Sequence, residues 1–397
     1  MAAHPNTNTA GHALLFQPGP DLPVLDRSLT SIPRYLFRTY APKSNGFTNE
    51  TIVEAPAASR GNGSVDLLQL PRDQAASMLW NHLKWKTRNG SWFRDRDDNL
   101  MSWTSSLFFA IQHGLRRHHS DFDKPDFSDI RICVVDTRKF PKGTFVKDLD
   151  LLEAYVDHQD VGRFLSLRLS DGGWYFGEYL SQGRLDIQGR SAHTSLRLLL
   201  DMGLYDLEPR FEEDQEHLAN RILELRVPFA AAPLITCPAS KMQVRKAIAA
   251  AQASFGDEYA LPFALMLLCL CPRPRRDRAI LAGFEATFTD EEITRLSLHT
   301  IAVDGERLPE VQQFAGLAHD LRQHLTREGS AINPFLVDNL HPRLANPGLP
   351  IDLTRIDDIA SSLSSLSSKS YTCALCRPFG GISTNASPAF QSLREDD

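Results

Sequence analysis

The hydrophobic spacing of this 397-residue chain changes near residue 190, and that change limits the folds open to it. Before it, apolar residues alternate or run together over five or six positions, the signature of strands. After it they recur every three or four positions, the signature of helices. An α+β N-terminal half feeding an α-helical half is the architecture this predicts.

Individual segments carry the pattern. In "PRYLFRTYAP", Tyr35, Phe37 and Thr39 alternate with Leu36, Arg38 and Tyr40, a strand closed by Pro42. Ile130 to Val135, in "DIRICVVDTRKF", is β-branched and nearly all apolar, as in a strand buried on both faces. "GGWYFGEYLSQGRLDI" reads as strand, turn, strand. "PRDQAASMLWNHLKWKTRN" places Ala75, Leu79 and Leu83 on one helical face. "NLMSWTSSLFFAIQHGLRRHH" reads as an extended segment entering a helix near Leu107. Ser106 is placed to cap that helix, and Leu107, Ala110, Ile111 and Leu115 form its buried face.

Beyond residue 190, "HLANRILELRV", "SKMQVRKAIAAAQASF", "ALPFALMLLCLC", "RDRAILAGFEATF", "TDEEITRL" and "LPEVQQFAGLAHDLRQHL" read as successive helices, with a capping box at Thr289 and Glu292. Residues 1–30 are rich in Pro, Asn and Thr and read as a flexible lead. Residues 336–397, with "SSLSSLSSKS", read as a mostly disordered tail. The expected division is therefore 1–30, an α+β domain over 31–190, a helical domain over 191–335, and the tail.

Composition excludes several classes. A 42% apolar and 23% charged chain is expected to be globular, and a net charge of −6 argues against nucleic acid as a partner. The longest apolar run, Tyr259 to Pro272, is too short and too interrupted by Pro262 for a membrane span, and "HALLF" is too short for a secretory signal. Six cysteines without framework spacing predict reduced thiols and a cytoplasmic or nuclear protein. There is no phosphate loop, dinucleotide fingerprint, G-x-S-x-G or H-E-x-x-H. Cys373 and Cys376 have metal-ligand spacing but no second pair. His113, His118 and His119 beside Arg116 and Arg117 complement a helix C-terminus better than they ligate a metal. Asp148, Asp150 and Glu153 fit no calcium loop and read as a solvated helix start. The basic "PRPRRDR", Pro272 to Arg278, reads as an exposed loop between helices.

What remains is an ordered layout. A strand carries Arg38, with Arg34 as a rival on the same face. A hydroxyl-rich strand end, Ser102, Thr104 and Ser105, then enters a helix. Glu178 follows between aromatics, before a Ser-Gln-Gly turn. This order resembles the Arg-Ser-Glu layout of ADP-ribosyltransferases, over roughly residues 33 to 190. The phrases "LFRTY", "SWTSSLFFAIQH", "VVDTRKFPKGTFVKDLDLLEAY" and "FGEYLSQGRL" together also resemble a fungal family of uncharacterised proteins, over about 33 to 325.

The first resemblance implies two packed, split β-sheets with a cleft for NAD. Glu178 would be the catalytic carboxylate, holding a ribose hydroxyl and stabilising an oxocarbenium-like charge. Arg38 would grip phosphate or ribose with its planar fork, and Ser102, Thr104 or Ser105 would orient the glutamate and seat the ribose. Phe176 stands two residues before Glu178, where many relatives with protein targets carry Glu or Gln, and a Trp interrupts the hydroxyl motif at Trp103. The alternative expectation is a non-enzymatic module that binds a protein partner.

Overall fold

The computed structural model describes residues 13–84, 98–120, 123–170, 174–213, 218–230, 236–296, 303–305 and 307–331. The Cys373 and Cys376 pair and the predicted tail lie outside these residues.

Among the described residues, nine strands form two antiparallel sheets. They are β1 (Tyr35–Tyr40), β2 (Phe47–Thr48), β3 (Ile52–Glu54), β4 (Leu100–Thr104), β5 (Arg131–Asp136), β6 (Val146–Lys147), β7 (Glu178–Gln182), β8 (Arg184–Asp186) and β9 (Ser191–Ser195). The larger sheet has the order β6-β7-β4-β1-β5-β9, and the smaller the order β2-β3-β8. The expected strand-turn-strand after Gly177 is present, but its halves part company. Gly183, at φ 69°, turns the chain out of the larger sheet at β7 and into the smaller one at β8.

The helices are α1 (Pro23–Ser28), α2 (Pro56–Ser59), α3 (Arg72–Leu83), α4 (Leu107–Ser120), α5 (Asp148–Ala154), α6 (Gln159–Leu169), α7 (Leu196–Asp201), α8 (Leu204–Leu207), α9 (Leu218–Ala230), α10 (Lys241–Phe255), α11 (Asp257–Leu268), α12 (Arg278–Glu285), α13 (Asp290–Thr294) and α14 (Pro309–Ala331). The predicted faces are the buried ones: Ala75, Leu79 and Leu83 in α3, and Leu107, Ala110, Ile111 and Leu115 in α4. Thr289 and Glu292 close their capping box at α13. No helix among the described residues is long and apolar enough to cross a membrane.

Strand alternation sorts the core into two layers. Leu36, Met101, Trp103, Cys133, Val135 and Tyr179 face the smaller sheet, where they meet Val53, Leu185 and Ile187. Leu100, Leu180 and Val146 pack instead with Leu79, Leu151 and Val161 of α3, α5 and α6. On the helical side Tyr35 meets Phe263 of α11 edge-on and Phe37 meets it tilted, with ring centroids 5.3 and 5.6 Å apart.

Three expectations are corrected here. Residues 13–30 are not a loose lead: Leu14 bridges Gln182, Phe16 and Leu25 are buried, and Pro23 opens a short helix from its first turn. Residue 190 is not a domain boundary, because β9 adds to β5 of the larger sheet, and residues up to 323 form one compact unit. Asp148 starts α5 as expected but is fully buried rather than solvated.

Candidate functional site

The site grows from β4, held between β1 and β7. The β4–β7 register pairs Ser102 with Leu180 and Thr104 with Glu178, so Ser102, Thr104 and Glu178 share a face. Ser102 lies diagonally across from Glu178, and its hydroxyl donates to Oε1 at 2.7 Å.

On the other side β1 and β4 barely pair. Their ladder is a single pair, Phe37 with Thr104. Two residues before that pair, the Ser102 carbonyl accepts from Arg38 Nη1 at 2.9 Å, while Arg38 Nε donates to Thr48 Oγ1 at 3.3 Å. By register Arg38 starts on the face opposite Glu178, toward the smaller sheet. Ser102 thus touches both others from opposite sides of the sheet, Arg38 through its carbonyl and Glu178 through its hydroxyl. Arg34 does not compete: it pairs with Asp136 at 3.2 Å and lies over the Tyr35 ring.

Arg38 carries unusual electrostatics. Both hydrogen bonds go to neutral oxygens, and burial pushes its pKa down to about 10 against the weak support of Cys133, Tyr40 and Asp98. A cation held this way suits an incoming anion. Nearby His113 is pushed down to about 3 by burial and by Arg117, Arg116 and Arg38, so it stays neutral.

The other hydroxyls turn elsewhere. Thr104 Oγ1 donates to the Phe176 carbonyl at 2.7 Å and accepts from the Ser106 amide. Ser105 Oγ donates to Asp304 at 2.9 Å. Ser106 caps α4 by accepting from the Phe109 amide at 3.1 Å. Of the hydroxyls from Ser102 to Ser106, only that of Ser102 reaches Glu178.

Sequence reasoning missed two partners. His82 of α3 lies with Nε2 2.8 Å from Ser102 Oγ and Nδ1 2.8 Å from Asp98 Oδ1. If the Ser102 proton goes to Glu178, Nε2 must carry a proton of its own. Asp98, His82, Ser102 and Glu178 thus form one hydrogen-bonded chain that fixes the orientation of the serine. A histidine next to the Leu79 and Leu83 stripe was the available signal, since a buried polar group on a core face is informative.

Arg168 of α6 is the second. Its Nη2 lies 2.6 Å from Glu178 Oε2, its Nη1 donates to the Trp174 carbonyl, and its Nε stands 3.8 Å from Asp148 Oδ2. That last distance is too long for a hydrogen bond, and neither atom has a hydrogen-bond partner among the described residues. Burial, opposed by Arg168 and reinforced by Glu178, holds the Asp148 carboxyl far above the usual range. Phe176 stacks on Phe109 with centroids 5.1 Å apart, and the Arg168 guanidinium lies over its ring. The position two before Glu178 is thus an aromatic shelf.

Among the described residues no group of three His, Cys, Asp or Glu side chains is placed to hold a metal. His118 at the end of α4 bonds the Pro125 carbonyl and stacks on Phe127. In the basic loop Arg273 is buried, Arg275 pairs with Asp320 at 2.7 Å, and Asp277 caps α12.

Residues 31–187 match the family model of a domain of unknown function (DUF7587). The span opens before β1 and closes after β8, so it contains Arg38, His82, Ser102, Arg168 and Glu178. No curated protein and no solved structure matches the chain.

Proposed function

We propose that the β1–β4–β7 site cleaves the nicotinamide–ribose bond of NAD, as an ADP-ribosyltransferase or NAD glycohydrolase. The observation that carries this reading is the contact of Ser102 with both Arg38 and Glu178.

In this reading the bond between the ribose carbon and nicotinamide breaks with its electron pair leaving on nicotinamide, which becomes neutral. The Glu178 carboxylate stabilises the oxocarbenium-like sugar and holds a ribose hydroxyl. Water or an acceptor side chain then adds to the carbon and loses a proton. Ser102 keeps the Glu178 carboxylate in one orientation, His82 sets the serine, and Arg38 supplies a cation for phosphate. Phe176 offers a ring face where acceptor-recognising relatives carry a polar side chain.

A second reading has its own observation. Both Glu178 oxygens are engaged, one by Ser102 and one by Arg168, and the residue is only 5% exposed. A carboxylate so occupied suits a non-catalytic module that binds a protein partner.

NAD consumption and NAD binding by the purified protein, beside Glu178→Gln and Arg38→Ala, separate the two. The enzyme reading expects turnover that Glu178→Gln abolishes and binding that Arg38→Ala weakens. Turnover unchanged in Glu178→Gln removes that residue from the mechanism. Neither turnover nor binding leaves the interaction module.

A further inference from the structure

The hydroxyls that do not reach Glu178 are engaged from outside the matched domain. Asp304 sits on a tight turn whose carbonyl accepts the Arg307 and Leu308 amides and leads into α14. Its carboxylate is fully enclosed and collects four donors. Oδ2 accepts from Ser105 Oγ and Tyr179 OH, each at 2.9 Å; Oδ1 accepts from Tyr175 OH at 3.3 Å and meets Lys147 Nζ at 2.5 Å.

Two further anchors follow. Leu308 is buried against Gly177, its Cδ1 2.8 Å from where a Cβ on that glycine would stand. Glu310 accepts from Ser106 Oγ at 2.6 Å and is held by Arg226. These contacts fall on the two chain segments that deliver the site: the end of β4 running into α4, and the residues flanking Glu178.

We propose that this turn and the start of α14 form an intramolecular strap that holds the site closed, with Asp304 as its latch. Three features favour a latch over a permanent core contact. The latch itself is polar, one carboxylate on an ammonium and three hydroxyls, bonds that water can replace, while Leu308 and Val311 behind it pack into the core. Lys147 is about one-fifth exposed, so solvent reaches the ion pair at its outer end. Asp304 also holds φ at 68°, a conformation that costs a non-glycine residue energy and that release would relax. When the strap lifts, the Gly177–Ser105 hinge region loses its cover and the segment bearing Glu178 gains freedom.

The inference rests on the NAD reading only for its functional consequence, so the test reads opening and binding separately. Hydrogen exchange and NAD binding would be measured on the full chain and on Asp304→Asn, in which asparagine tolerates the positive φ. Ser105→Ala serves as a milder variant that removes one of the four donors. The expected result is at least tenfold faster exchange at residues 104–109 and 175–180 in Asp304→Asn, a smaller local rise in Ser105→Ala, no change in β5 or α11, and tighter NAD binding.

Unchanged exchange in both variants overturns the strap, and so does an equal loss of protection across β5 and α11, which marks a structural contact. Faster local exchange without NAD binding keeps the strap and removes the nucleotide reading. NAD turnover in the unaltered protein with unchanged exchange in both variants does the reverse.

Discussion

Arg168 and Glu178 form a buried, mutually dependent pair. Their side chains are each about 7% exposed, with Nη2 and Oε2 2.6 Å apart. Arg168→Met keeps an apolar stem of similar length but removes the guanidinium, which lies over the Phe164 and Phe176 rings, and leaves Glu178 with the Ser102 hydroxyl. Removing one partner of a buried pair costs about 3–5 kcal/mol, because the remaining charge is uncompensated. Glu178→Gln is expected to cost less, about 2 kcal/mol: glutamine still accepts from Ser102, and Asp148 stands 3.8 Å from the orphaned guanidinium.

The double variant leaves no unpaired charge and is expected to cost well under the sum, giving a coupling energy of about 2 kcal/mol or more. Denaturant unfolding of the four proteins, with a common slope, measures this cycle. If the single effects add to within about 0.5 kcal/mol, the charges are not coupled and Glu178 is solvated, contrary to the geometry described. Under the proposed function, the same coupling energy is a measure of what a ligand must offset to draw Glu178 away from Arg168.

Two further outcomes follow from neighbouring groups. The folded state raises the Asp148 pKa to about 8, so it holds a proton that the unfolded chain has released, and stability falls as pH rises from the ordinary carboxylate range toward that value. The decline is at most about 1.4 kcal/mol per pH unit; Asp148→Asn should flatten it, and parallel profiles for the two proteins at pH 5, 6.5 and 8 would refute the assignment. Gly177→Ala places a Cβ 2.3 Å from Ser105 Oγ and 2.8 Å from Leu308 Cδ1 at φ 71°, and should destabilise by about 2–4 kcal/mol in the same unfolding assay. A cost below about 1 kcal/mol would mean that Leu308 does not bear on that glycine.

Much of this arrangement is legible in the chain itself, for identifiable reasons. β1, β4, β5 and α4 announce themselves because their periodicity and caps are local, and the order Arg38, Ser102, Glu178 falls on three strands that pair in the larger sheet. β9 is barely legible: "SAHTS" is short and polar, and it is a strand because β5 pairs with it. α6, which carries Arg168, has Gly162 and Ser166 among its apolar positions, so its pattern is diluted. Asp98 and His82 are joined by folding, not by spacing, and nothing in the sequence reports that their side chains meet. Residues 13–30 mislead through composition, since Pro23 reads as a breaker but stands where proline opens a helix.

The two functional readings differ over why so many charges are buried around β4 and β7. Stability alone does not ask for them: apolar residues of similar volume often replace a buried ion pair at no loss. A scaffold whose only task is to present a surface gains nothing from placing Arg168, Glu178 and Asp304 inside it. The same groups have a use if Glu178 must be held ionised and oriented, and kept from water until a ligand arrives. On that view Arg168 and Asp304 act in parallel. Arg168 occupies the oxygen that a ribose hydroxyl would take, and Asp304 pins the hydroxyls that border it. Opening then requires that both contacts exchange, and a ligand with phosphate and ribose hydroxyls supplies partners for both Arg38 and Glu178. Under the proposed function the buried charge is that of a closed site, and under the alternative it is that of a rigid core.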